Sequence, residues 1–359
     1  MALGPVNTTP KTTAEDICAP HVMGVSLATH TTDKSDYSRF NAIAAGNGVI
    51  VGVESSGKYL MYSEDGGKTW KTGTGTTMVA YFDVCFGGGM FVAICNGAST
   101  FAYSVNGKTW TEISNPGGAS VTGAYRICYG NGRFVVGVNS AKVTIVSEDG
   151  KTWTRYTDGM SKSGYVRDMV CGKGKFVMLV GVAGATTIDY AAYSEDGHYW
   201  TFVQLPEAVR WDCIAYGNGL FMAVDVNSSA KYMTSLDGIT WTVKALPFTD
   251  AKTSVNFCNG LFAVTPKELR ANNSANQQIW LTIEGDSWVS VNAGAYVSLT
   301  SNACTADGIG MVWCAGEKKT MRVEVMDAAV TYFAERLKPG ILEEIKKSLT
   351  PLLVNATVE

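Results

Sequence analysis

Tryptophans at 70, 110, 153, 200, 241 and 288 recur at steps of 40, 43, 47, 41 and 47 residues, and each closes one version of a single phrase. In chain order the phrase reads YSEDGGKTW, YSVNGKTW, VSEDGKTW, YSEDGHYW, TSLDGITW and LTIEGDSW. A second landmark keeps the same beat, a glycine-rich turn running into a hydrophobic stretch. It appears as AAGNGVIVGV (44–53), CFGGGMFVAI (85–94), CYGNGRFVVGV (128–138) and CGKGKFVMLVG (171–181). It continues as AYGNGLFMAVD (215–225), FCNGLFAVT (257–265) and TADGIGMVWCAG (305–316). Self-similar units of this length confine a chain to repeat architectures, in which each unit buries its apolar face against the next.

Each period reads as strand, glycine turn, strand, loop, strand, Asp-type turn, strand. In the third unit the four runs are AYRICY, RFVVGV, KVTIVS and TWTRYT. Asn-Gly between apolar runs is a strong hairpin signal, because both turn residues accept positive φ. Apolar residues make up 46% of the chain, with 39 glycines and 9 prolines, as many tight turns between short strands require. Four antiparallel strands per unit is the pattern of a propeller blade. Seven glycine turns predict an all-β, seven-bladed β-propeller over 21–326. The last unit has no Asp-type turn and lacks a fourth strand, so HVMGVSLATHTT at 21–32 is expected to complete it and close the ring, removing the exposed sheet edges.

Every part of the repeated phrase has a local task. The acid and the serine hydroxyl can accept N–H groups of their own turn. The glycine takes a backbone geometry closed to other residues, and the tryptophan opens the next strand with a large ring to bury. The phrase resembles the Asp-box, or bacterial neuraminidase repeat, S-x-D-x-G-x-T-W. Ser63, Asp65 and Trp70 carry it most fully. Ser147, Asp149 and Trp153, then Ser194, Asp196 and Trp200, then Ser235, Asp237 and Trp241 carry it one residue shorter. In the second copy (Ser104, Asn106, Trp110) an amide replaces the acid, and Thr282 and Glu284 precede Trp288 in a weakened sixth. The resemblance implies a structural role for these turns, away from any ligand face.

Inner strands border the channel of a propeller, so their starts are the candidate binding residues: Arg39, Asp83, Arg126, Arg167, Asp168, Arg210, Trp211 and Asp212. An ion-paired network between blades accounts for the same pattern. Sialidases of the resembled class use three arginines, a Tyr–Glu pair and an Asp acid, with an early Arg-Ile-Pro that this chain lacks. Related glycosidases use two carboxylates across a cleft, for which Asp83, Asp168 and Asp212 are candidates. No catalytic residue is assigned. Three scattered histidines and no Cys/His cluster of zinc spacing leave no expected metal or cofactor.

A net charge of −3 sets up no field for nucleic acid, and no run of 18 apolar residues implies membrane insertion. The start lacks a basic, then apolar signal, so the expectation is synthesis in the cytoplasm without a signal peptide. Cys85, Cys128, Cys171, Cys213 and Cys258 are read as small, buried, reduced hydrophobes. Residues 1–20 read as an extended polar arm. Residues 327–359 read as a helical tail, with Asp327 as N-cap, a break at Pro339-Gly340, and a stripe of Ile341, Ile345, Leu349 and Leu352. This layout is similar to propellers among bacteriophage tail and appendage proteins, and in blade count to photosystem assembly factors. The reading is a non-enzymatic binding or structural propeller of a virion. Its expected partners are other virion or assembly proteins, reached through arm and tail, or a host-surface glycan, with homo-oligomers also allowed. The alternatives are a sialidase-like glycoside hydrolase and an intracellular assembly factor.

Overall fold

The computed structural model of the protein describes residues 22–29, 31–34, 40–54, 59–77, 81–118, 121–139, 142–182, 187–225, 230–248, 252–258, 260–266, 278–292, 299–304, 310–315 and 319–325. The arm at 1–20, the tail at 327–359 and Arg39 lie outside the described residues. Among the described residues there is no helix, and the chain is an all-β propeller of antiparallel sheets.

Six blades succeed one another between Phe40 and Asn292, each drawn from one continuous stretch of chain with strands in chain order across the sheet. The third shows the rule: Ala124–Gly130, Arg133–Val138, Thr144–Ser147 and Thr154–Tyr156, close to the four runs read from the sequence. The second strand of a blade is covered on both faces by neighbouring blades. It is accordingly a near-continuous apolar run, buried from Phe91 to Cys95 in the second blade and from Phe134 to Val138 in the third. The core is a set of layers between blades. One layer joins Val92, Ile94 and Phe101 of the second blade to Ile127, Phe134, Val136 and Trp153 of the third. Each such large side chain contributes about 1.5–3 kcal/mol by leaving water.

The blades built from consecutive strands number six, against seven expected. The last glycine-rich unit lies in a sheet of different make-up, ordered Val22–Thr29, Lys319–Val325, Gly310–Ala315 and Leu299–Cys304. Val22–Thr29 runs antiparallel to Lys319–Val325, so both ends of the described chain meet here, because the last unit has no fourth strand of its own.

Blade edges are covered by the segment arriving from elsewhere in the ring. Thr31–Thr32 adds a short parallel strand beside Thr69–Thr72 of the first blade. Thr74 and Met160 make parallel bridges to Thr109 and Trp200 of the blade that follows. Such straps occupy backbone groups that an open edge would offer to other chains. Because the strands alternate in direction, glycine turns and Asp-type turns share one face. The starts of the inner strands lie toward the other.

Candidate functional site

At the start of every inner strand the pairing register slips by one residue. The slips fall between Phe40 and Ala42, Tyr81 and Asp83, Ala124 and Arg126, Val166 and Asp168, Trp211 and Cys213, Lys252 and Ser254, and Leu299 and Ser301. A bulge re-aims the side chains that follow it. Phe40, Tyr81, Ala124, Val166 and Trp211, just before the slip, are buried between blades. Ala42, Asp83, Arg126, Asp168, Cys213 and Ser254, just after it, are half-buried on the inner wall. Trp211 is therefore not the ligand-facing ring expected: it is 0% exposed, and its Nε1 donates to the Glu207 carbonyl at 2.9 Å. The bulge turns it into the layer between blades and leaves the wall to its neighbours.

The remaining described candidates form one network across blades two to five. Asp83 accepts the N–H of Val84 at 2.9 Å and, across the blade boundary, that of Ile127 at 3.1 Å. Two blades on, Asp168 repeats this with Met169 at 3.0 Å and Ile214 at 2.9 Å. The Arg126 Nε lies 3.4 Å from Asp168 Oδ1, and its guanidinium covers the Tyr125 ring at 4.5 Å and the Phe82 ring at 5.7 Å. Arg167 stands 3.6 Å from Asp212 Oδ1, while the Arg210 Nε donates to Asp212 Oδ2 at 2.7 Å.

Burial pushes the carboxyls of Asp83 and Asp168 up, against the pull of Arg126 and the backbone N–H groups, and Asp168 rises to about 6. Burial works against the Arg126 charge, but Asp83 and Asp168 override it and hold its value above the ordinary one. A carboxyl near 6 has the proton affinity of a general acid. Geometry opposes that use, since both Asp168 oxygens are committed to backbone and Arg126. Among the described residues no group of three His, Cys, Asp or Glu side chains is placed to hold a metal ion.

Cys85, Cys128, Cys171 and Cys213 on the inner strands are not disulfide-bonded. Cys258 differs from the expectation, being disulfide-bonded. Which cysteines meet depends on the fold, which their spacing along one chain does not reveal.

On the opposite face the turns behave as local clasps. In the first, Asp65 Oδ1 accepts from Ser63 Oγ at 2.8 Å, Lys68 N at 3.0 Å and Thr69 N at 2.9 Å, and the Trp70 Nε1 donates to the Gly67 carbonyl at 3.0 Å. Asn106, Asp149, Asp196 and Asp237 each accept the same pair of downstream N–H groups. Asn106 succeeds because its amide oxygen accepts as a carboxylate does. The sixth turn keeps the Thr282–Gly285 bond and the Trp288–Gly285 bond, both at 2.8–2.9 Å. In the third, the N–H groups of Thr152 and Lys151 hold the Asp149 carboxyl down to about 2.

Asparagines of the glycine turns tie neighbouring blades together on this face. Asn131 reaches the Gly174 carbonyl at 2.8 Å and the Glu195 carbonyl at 3.0 Å, and Asn47 and Asn218 do likewise one blade on. All three take positive φ, between 48° and 50°.

Between these clasps lie two equivalent grooves. One, of about 670 Å³ between blades five and six, is lined by Leu220, Leu236, Thr240, Lys244, Glu284 and Asp286 among others. The other, of about 460 Å³ in blade three, is lined by Arg133, Glu148, Asp149, Thr152, Thr154 and Tyr156. Beside it His198 stacks on Tyr156 at 3.7 Å and on Tyr199 at 3.8 Å, and its Nε2 lies 2.8 Å from Asp158 Oδ1. Tyr199 is 63% exposed, alone among the described aromatic residues in standing so far out. Sequence reasoning passed these residues over. Their signal is the fourth turn phrase, YSEDGHYW, where His198 and Tyr199 replace the Lys-Thr of other copies.

No family model matches the chain, and no curated protein sequence matches it. The likeness of the six turns to the Asp-box thus stands on their own residues. Solved structures do resemble it. A streptogramin B lyase structure superposes with a TM-score of 0.67 at 12% identity, covering 85% of this chain and 99% of that one. Selenomethionine-substituted virginiamycin B lyase from Staphylococcus aureus gives 0.66 at 11% identity, covering 84% and 100%. YCF48 bound to D1 peptide gives 0.63 at 12%, covering 86% and 99%. At such identities the likeness shows the fold, a β-propeller.

Proposed function

We propose that the protein is a non-enzymatic binding or structural propeller. What carries this reading is the state of the inner-wall carboxylates: Asp83 and Asp168 each spend one oxygen on the N–H of the next residue and the other on an N–H of the neighbouring blade. An acid or base catalyst needs an oxygen turned toward substrate, and neither Asp83 nor Asp168 has one to spare. Assaying the full chain on a panel of fluorogenic glycosides tests it. No turnover is expected; turnover that disappears in Asp168→Asn or Asp212→Asn overturns the reading in favour of a glycoside hydrolase.

Within this role the ring has seven places, the seventh filled by the sheet that joins Val22–Thr29 to Lys319–Val325. Support comes from the inner strands: Leu299–Cys304 lies beside both Lys252–Cys258 and Phe40–Gly46. Support comes also from Thr31–Thr32, which follows Val22–Thr29 and straps the next blade as Thr74 does further on. Membership of a virion appendage rests on layout alone, a closed ring with chain to spare at both ends. Detection of the protein in purified particles supports it, and recovery only from cell lysate overturns it.

A further inference from the structure

Groove by groove, the turn face offers the same backbone with different chemistry. In the blade-five groove the outer-strand residue is Lys244, already paired with Asp286 at 2.6 Å. In the blade-three groove the outer-strand residue is Tyr156, an aromatic wall. Its ring is fixed in place by His198 stacked at 3.7 Å and 18°, and His198 is itself anchored by Asp158. A stack of this kind orients a ring without closing the groove it lines.

The polar groups facing that ring are under-used. Arg133 Nη2 stands 3.6 Å from Glu148 Oε1, an ion-pair distance but beyond a hydrogen bond. Its Nη1 reaches the Asp196 carbonyl only at 3.3 Å, while its Nε is buried away from the groove. Glu148 is 77% exposed. A forked donor and a carboxylate acceptor are therefore held side by side, next to an aromatic face and the side chains of Thr152 and Thr154.

We propose that this groove binds a neutral glycan, one sugar ring lying on Tyr156 with two adjacent hydroxyls bridging Glu148 and Arg133. A sugar presents an apolar C–H face and vicinal hydroxyls that donate to a carboxylate while accepting from a guanidinium. That is the complement of what the groove displays. A volume of about 460 Å³ suits one or two sugar rings. An acidic sugar is disfavoured by Glu148 and Asp149 on the same wall. The inference goes beyond the non-enzymatic reading and uses none of the inner-wall residues, so either can fail without the other.

The test uses the full chain and saturation-transfer NMR with the methyl glycosides of glucose, galactose and mannose, N-acetylglucosamine, and N-acetylneuraminic acid as the acidic control. At least one neutral sugar is expected to receive transfer and to compete with its own oligosaccharide. Glu148→Gln, at an exposed position, is expected to weaken binding about tenfold, and Tyr156→Ala to abolish it, with thermal melts confirming that both fold. Lys244→Ala in the companion groove is expected to leave binding unchanged. No transfer to any neutral sugar, binding indifferent to Glu148→Gln, or binding of N-acetylneuraminic acid alone each overturns the proposal.

Discussion

Asp149 and Asp168 are both aspartates that accept two backbone N–H bonds, yet they are pushed in opposite directions. On the turn face, Asp149 stands in water and its N–H partners win, holding it down to about 2. On the inner wall, burial wins over similar bonds and an arginine, raising Asp168 to about 6. The turn end of each blade is thus a place where sequence repeats because a self-contained motif is needed. At the wall end only the backbone bulge repeats, while the side chain after it is Ala42, Asp83, Arg126, Asp168, Cys213 or Ser254 in turn. Repetition of residues marks scaffolding here, and repetition of geometry without residues marks freedom for chemistry.

The strongest way to break this contrast is to remove a part of the turn that should matter most. Trp70 is buried against Phe40 at 4.3 Å and bonded to Gly67. Trp70→Ala is expected to cost about 4 kcal/mol in urea unfolding. A cost below about 1 kcal/mol would mean the turns are not scaffolding. Gly87→Ala sets a comparable trial at a blade boundary, since a Cβ there would overlap the Tyr129 ring close to its backbone. About 2–3 kcal/mol is expected from overpacking.

The opposed aspartates give the sharpest comparison. Asp168 has a folded value above the unfolded 3.8, so its contribution is complete below about 3.8 and is lost as pH rises through about 6. Asp149 has a folded value below 3.8, so its contribution is present above that and is lost as pH falls toward about 2. Relative to Asp168→Asn, the natural protein should lose on the order of 2–3 kcal/mol between pH 4 and pH 7. Relative to Asp149→Asn it should instead gain between pH 2 and pH 5. Parallel slopes in the two series would erase the distinction between the faces.

Smaller effects belong to the staples. Asn131→Ala removes two bonds to the next blade and leaves alanine at φ 48°, an expected loss of about 1–2 kcal/mol. Asn131→Gly restores the backbone and should recover part of it. Lys108→Ala, which removes an exposed pair with Glu64, should leave the urea midpoint where it is in the natural protein.

The turn face was legible in the sequence because each clasp is local. Ser63, Asp65, Gly67 and Trp70 satisfy one another within eight residues, so the chemistry shows in the order of letters. The wall was legible only as a set of positions. Arg126, Asp168 and Asp212 lie on it in the ion pairs between blades that their recurrence also allowed, while Trp211 packs between blades because a one-residue bulge decides which side of a strand faces inward. The composite sheet was legible from what its unit lacks: with no Asp-type turn and no fourth strand, it left 21–32 as the partner to expect, and Val22–Thr29 pairs with Lys319–Val325 almost the whole chain away. The Tyr156–His198–Tyr199 stack joins two blades, and its one trace in the sequence is the His198-Tyr199 pair of the fourth turn phrase.

That distant partnership has a consequence for how the molecule is made. Val22–Thr29 leaves the ribosome some three hundred residues ahead of Lys319–Val325, its hydrogen-bonded neighbour. At synthesis rates of about 5–20 residues per second, the first strand waits on the order of 15–60 seconds for its mate. During that interval its backbone donors and acceptors have no lasting partner. The nascent chain is then most open to capture by a chaperone or by a second copy of itself, until Lys319–Val325 arrives to take up the pairing.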